Sequence, residues 1–99
     1  MANVPAFLQA LDENDPEFAA KVLEAMRFTY ADGALDAKTK SLMLLLADAI
    51  LGLGDGVASI AERVRREGAT EAEIVETVRM AFMAGGLPGL VTALRAFPR

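Results

Sequence analysis

Apolar residues in this chain return every three or four positions and never alternate with polar ones over the length of a strand. That spacing lines them up along one side of an α-helix, so it predicts an all-α fold. The punctuation agrees. Asp15, Pro16 and Glu17 have the form of a helix start: a side-chain cap, a proline at the first helical position and an acid in the first turn. Asp36 caps a further helix, and Thr70-Glu71-Ala72-Glu73 is a capping box. Glycines at 33, 52, 54, 56 and 68, and the run Gly85-Gly86-Leu87-Pro88, stand between apolar segments.

The reading is one domain, a compact bundle of about six helices around a central helical hairpin. A first helix is expected over residues 4–11, with the acidic run 12–15 as a turn. The second runs from Pro16 to Gly33 as its C-terminal glycine, with Phe18, Ala19, Val22, Leu23, Met26 and Tyr30 on one face. The third, from Asp36 to about Leu53, is apolar nearly all round, as a helix buried on most sides would be. The fourth, residues 57–67, turns Val57, Ile60, Ala61 and Val64 inward. The fifth turns Ile74, Val78, Ala81, Phe82 and Gly85 inward, and a last helix from Pro88 does the same with Leu90, Val91, Leu94 and Phe97.

Composition adds two constraints. Hydrophobic residues make up 54% of the 99, including 5 Met and 5 Phe, more than a monomer of this size can cover. The excess predicts a homo-oligomer, with dimer, trimer and hexamer all open. The formal charge is −4 with no basic tract, which speaks against nucleic acid as a partner. No signal-peptide pattern opens the chain, and the apolar run 42–53 is too short to span a bilayer, so the expectation is a cytoplasmic protein without a membrane partner.

The chain also has no cysteine and no histidine. That removes the thiolate nucleophile, the imidazole general base and the best ligands for zinc. No metal cluster of carboxylates and no phosphate loop is visible, so neither metal nor cofactor is expected. The remaining candidates are weak ones. Asp48 lies in the most apolar helix, on a stripe with Ser41 and Gly52, one further turn from Lys38. Such a stripe faces solvent, a subunit interface or a pocket; in a pocket, burial would raise the Asp48 pKa and suit it to proton transfer. Glu76 and Arg79 are three apart on the fifth helix, where they form either a solvated pair or a carboxylate-binding cation with its neighbour. Arg63 and Arg66 can likewise hold a small anion or pair with Glu62 and Glu67.

Residues 35–40 (Leu-Asp-Ala-Lys-Thr-Lys), the apolar helix 42–51, Arg66-Glu67-Gly68-Ala69-Thr70-Glu71-Ala72-Glu73-Ile74 and Ala81-Phe82-Met83-Ala84-Gly85-Gly86 together resemble the carboxymuconolactone decarboxylase family, which includes the alkyl hydroperoxidase D group. The resemblance covers about two thirds of the chain, residues 35–97, with 1–34 as additional N-terminal helices. It implies an all-helical domain built on a helical hairpin that assembles into homo-oligomers. In the thiol branch of that family a Cys-x-x-Cys, a histidine and a glutamate carry the chemistry. By the resemblance those positions are Leu53 and Gly56, Ile60 and Ser41 here, so none of the four is kept. Thiol peroxidase and disulfide reductase chemistry has no nucleophile in this chain. The decarboxylase branch also lacks the cysteines and carries histidines that correspond to Ile60 and Arg79.

Two functional readings follow. The first is a homo-oligomeric, non-redox binding or structural member of the family. The second is a cofactor-free lyase or isomerase acting on a small carboxylated, lactone-like substrate, with Arg79 as the cation and Asp48 or Glu76 as the acid.

Overall fold

The computed structural model describes residues 6–98. Among them there are five α-helices and a closing 3-10 turn: α1 (Ala6–Asn14), α2 (Pro16–Tyr30), α3 (Ala37–Ile50), α4 (Gly54–Arg66), α5 (Glu71–Ala93) and the turn Leu94–Ala96. The all-α expectation holds, and the number of helices is corrected from six to five. The chain forms two units, residues 1–31 and 32–99.

The first unit is a helical hairpin. α1 runs through the acidic segment to Asn14, whose side-chain amide donates to the Ala10 carbonyl at 2.8 Å. Residues 4 and 5 of the expected first helix lie outside the described residues. Asp15 is the break, and its carboxylate accepts from the Phe18 N–H at 3.1 Å. α2 stops at Tyr30, with Ala31 already extended, so Gly33 is not its terminator. Only Leu8, Ala19 and Leu23 are buried, while Phe7, Phe18 and Phe28 are exposed.

The second unit carries the main core. α3 and α4 are antiparallel, joined through Leu51, Gly52 and Leu53, with Gly52 at a positive φ. α3 and α5 run parallel: Lys38 meets Glu73 at one end, and Ile50 lies against Gly85 at the other. The core is Leu45 and Ala49 from α3, Val57, Ala61 and Val64 from α4, Ile74, Val78, Ala81 and Ala93 from α5, and Ala96 from the closing turn. Ile60 packs against this cluster, as its position on the apolar face requires.

Side-chain caps fix where these helices begin. Asp36 accepts the Thr39 N–H at 2.7 Å, and those hydrogen bonds hold its carboxyl below the usual range. Thr70 and Glu73 form the reciprocal capping box, with Thr70 N–H to Glu73 at 2.8 Å and Glu73 N–H to Thr70 at 3.1 Å. The same Glu73 accepts from Lys38 at 3.0 Å, so one carboxylate ends a helix and ties α5 to α3. Its pKa is lowered, first by the Thr70 backbone hydrogen bond and then by Lys38. Arg65 grips Glu71 with two 2.9 Å hydrogen bonds and links α4 to α5.

The expected fifth and sixth helices are joined across a kink. Gly86 has φ 65° and ψ −158°, a conformation open to glycine and strained for other residues. Helical geometry is interrupted at Gly86, so two helical limbs meet there inside α5, where the sequence places a turn. Gly89 permits the close approach that follows, since a Cβ there would lie 2.7 Å from the Ala81 carbonyl oxygen. The stretch Glu71–Ala96 is apolar and long enough to cross a bilayer, with mean hydropathy 1.3. The kink leaves a first limb of about 22 Å, short of the ~30 Å hydrocarbon thickness.

Candidate functional site

The start of α4 is where the family comparison of the sequence placed the missing thiols. It begins at Gly54, so Gly54 and Gly56 lie within its first turn, and Gly52 alone makes the break. The reason for glycine at 56 is steric: a Cβ there would come 2.6 Å from Oδ2 of Asp48 and 3.2 Å from its carboxyl carbon. Asp48 therefore packs its carboxylate onto the first turn of α4, in the space a side chain at 56 would take. Its own backbone carbonyl accepts the Leu53 N–H at 2.9 Å and anchors the turn. Partial burial raises the Asp48 pKa.

Ser41, two turns earlier on α3, is fully buried, and among the described residues its hydroxyl has no hydrogen-bond partner. It stands where the thiol branch would place a glutamate. Leu53 is half exposed, and Ile60 joins the core. Lys38, the remaining member of the sequence stripe, is committed to Glu73.

Glu76 and Arg79 are elsewhere. Both are exposed on the outward side of α5, and among the described residues neither has an ion-pair partner within 4 Å. Among the described residues no hydrogen bond or ion pair joins Asp48 to either of them. The cation at the start of α4 is Arg95, which sequence reasoning missed. Its guanidinium donates to Asp55 at 2.9 Å, and its Nη1 lies 2.9 Å from where a Gly54 Cβ would be. Residues 54 and 56 project to nearly opposite sides of a helix, so Arg95 and Asp48 flank the turn from different sides. No local signal marks Arg95, since its partner is 40 positions away. Arg63 pairs with Glu67 at 3.5 Å, an ordinary contact one turn apart.

Several inward assignments also change. Phe82, Val91 and Leu94 are exposed at 45%, 64% and 48%, and α3 shows Met43 and Ile50 to the outside. The sequence assigned these residues to the interior because they are apolar. The first limb of α5 meets the core along Ile74, Val78 and Ala81 and the second through Leu90 and Ala93, while Met80, Phe82, Met83, Leu87 and Val91 stay exposed.

The Carboxymuconolactone decarboxylase family profile matches residues 16–98. The chain belongs to this family. The match reaches back through α2, further than the segments that first suggested it. An uncharacterized protein of Methanocaldococcus jannaschii is 29% identical over 94 residues, covering 94% of this chain and 88% of that one. The crystal structure of an apo carboxymuconolactone decarboxylase family protein from Legionella pneumophila superposes with a TM-score of 0.83 at 28% identity, over 90% of this chain and 80% of its own.

Proposed function

We propose that this family member works as a homo-oligomer in a non-redox binding or structural role. The observation that carries the reading is the outer side of α5. Met80, Phe82, Met83 and Leu87 are all exposed there, Met83 at 74% and Leu87 at 66%. So many large apolar side chains exposed on one helix mark a surface that something covers. With Met43, Ile50, Leu51, Val91 and Leu94, the uncovered apolar area is on the order of 800 Å², what one partner contributes to a standard protein interface. The absence of cysteine leaves no thiolate for the redox chemistry of the thiol branch. Light scattering on the purified chain at micromolar concentration is expected to give a multiple of 10.5 kDa. A single 10.5 kDa species would refute the assembly.

Asp48 favours a second reading. A half-buried carboxyl with a raised pKa, set against a glycine at a helix start, is suited to carry a proton. In that reading the protein is a cofactor-free lyase or isomerase for a small carboxylated lactone-like substrate. Turnover of such a lactone by the wild type and its loss in Asp48→Asn would support it; an inactive wild type would remove it.

A further inference from the structure

We infer that Glu76 and Arg79 form a reciprocal ion pair between two copies of this chain, across a two-fold axis on the outer face of α5. The inference rests on the homo-oligomer proposed above and specifies its contact. Glu76, Arg79, Met80 and Met83 stand at i, i+3, i+4 and i+7, so they form one stripe along the helix, and all four are exposed. The two charges are therefore embedded in the same surface as the two methionines that need covering.

Within this unit Lys38 pairs with Glu73, Arg63 with Glu67, Arg65 with Glu71 and Arg95 with Asp55. Glu76 and Arg79 are one turn apart and within reach of each other, yet among the described residues they make no ion pair. When a second copy covers Met80 and Met83, both charges lose water and each needs an opposite charge. A stripe carrying one acid and one base is complementary to itself under a two-fold rotation, which brings Glu76 of each copy to Arg79 of the other. The pair also supplies what the methionines cannot, a fixed register between the helices.

The test uses two charge-reversed variants, Glu76→Arg and Arg79→Glu. The first makes the stripe wholly basic and the second wholly acidic. Each alone is expected to assemble about tenfold more weakly than wild type in sedimentation at low salt. An equimolar mixture of the two is expected to recover wild-type assembly, because each then meets an opposite stripe. Pairing within one helix predicts no such recovery. Circular dichroism melts of the single variants establish that both are folded. A monomeric wild type would overturn the homo-oligomer itself. A wild type that assembles, with single variants that assemble equally well or a mixture that fails to recover, would overturn the ion pair and leave the homo-oligomer standing.

Discussion

α4 and α5 face the same core from neighbouring positions, yet they treat water differently. α4 buries Val57, Ala61 and Val64 and turns Ser59, Glu62 and Arg66 outward. α5 buries Ile74, Val78 and Ala81 along its first limb and turns Met80, Met83, Glu76 and Arg79 outward. The inner stripes are equivalent in kind: small and branched apolar residues at helical spacing. The outer stripes are not. An outer stripe of Ser, Glu and Arg is complete in solvent, whereas one that adds two methionines to a pair of charges leaves apolar area uncovered. Burial in the protomer and apolar character in the sequence are separate quantities in this protein, and their difference marks the surface proposed for assembly.

The comparison breaks first at the inner stripes. Ile74→Ala is expected to lose about 2–5 kcal/mol in urea unfolding, because Ile74 is fully buried between helices that cannot close on the space. A loss under 1 kcal/mol would mean that α5 is not held by its inner face. The outer stripes come next. Met83→Glu is expected to weaken assembly by about a hundredfold while leaving the helix content unchanged. The matched change on α4, Ser59→Glu, is expected to leave assembly within about threefold of wild type. Equal responses of the two would erase the distinction between the helices.

Smaller effects sharpen the account of the α4 start. Gly56→Ala is expected to destabilise by about 1 kcal/mol, since the new methyl group meets the Asp48 carboxylate. In an Asp48→Ala background the same change is expected to stabilise by up to about 1 kcal/mol, because alanine is the better helix former. Additive effects in that cycle would show that Asp48 is not what requires glycine at 56. The pH dependence of stability should separate these carboxyls as well. Asp36, Glu71 and Glu73 have lowered pKa values, so the stability they contribute is present above the ordinary carboxylate range and is lost as pH falls through their folded values. Asp48, with its raised pKa, acts oppositely: the cost of its buried charge is relieved as pH falls through its folded value. Asp48→Asn is therefore expected to be as stable as wild type at pH 7 or slightly more so, and to lose stability more steeply on acidification. The reverse order, measured at one fixed protomer concentration, would contradict the direction assigned to Asp48.

What the residues revealed in advance was local chemistry. Asp15, Asp36 and the Thr70–Glu73 box cap helices by hydrogen bonds spanning three residues, and such bonds depend on nothing distant. Several helix ends lie elsewhere than expected. Gly33 lies beyond the end of α2, Gly54 and Gly56 sit inside α4, and α1 runs on through the acidic segment to Asn14. Glycine permits a break without imposing one, and the surrounding hydrogen bonds decide. The family was legible because its segments recur at set distances along the chain. The surroundings of the candidate residues were not. That Asp48 meets Gly56, that Lys38 meets Glu73 and that Arg95 meets Asp55 all depend on how α3, α4 and α5 pack. The interior positions given to Phe82, Val91 and Leu94 failed for the same reason, since an apolar residue exposed on a helix reads in the sequence like one in a core.

The central claim is that a second copy covers the outer stripe of α5. Because the chain has no cysteine of its own, one introduced thiol reports one position. Met80→Cys and, on the outer face of α4, Glu62→Cys can each be treated with a bis-maleimide spanning about 10 Å, comparable to the spacing of packed helices. The account predicts a covalent dimer from Met80→Cys and little or none from Glu62→Cys. Equal yields from the two, or no dimer from Met80→Cys, would contradict it.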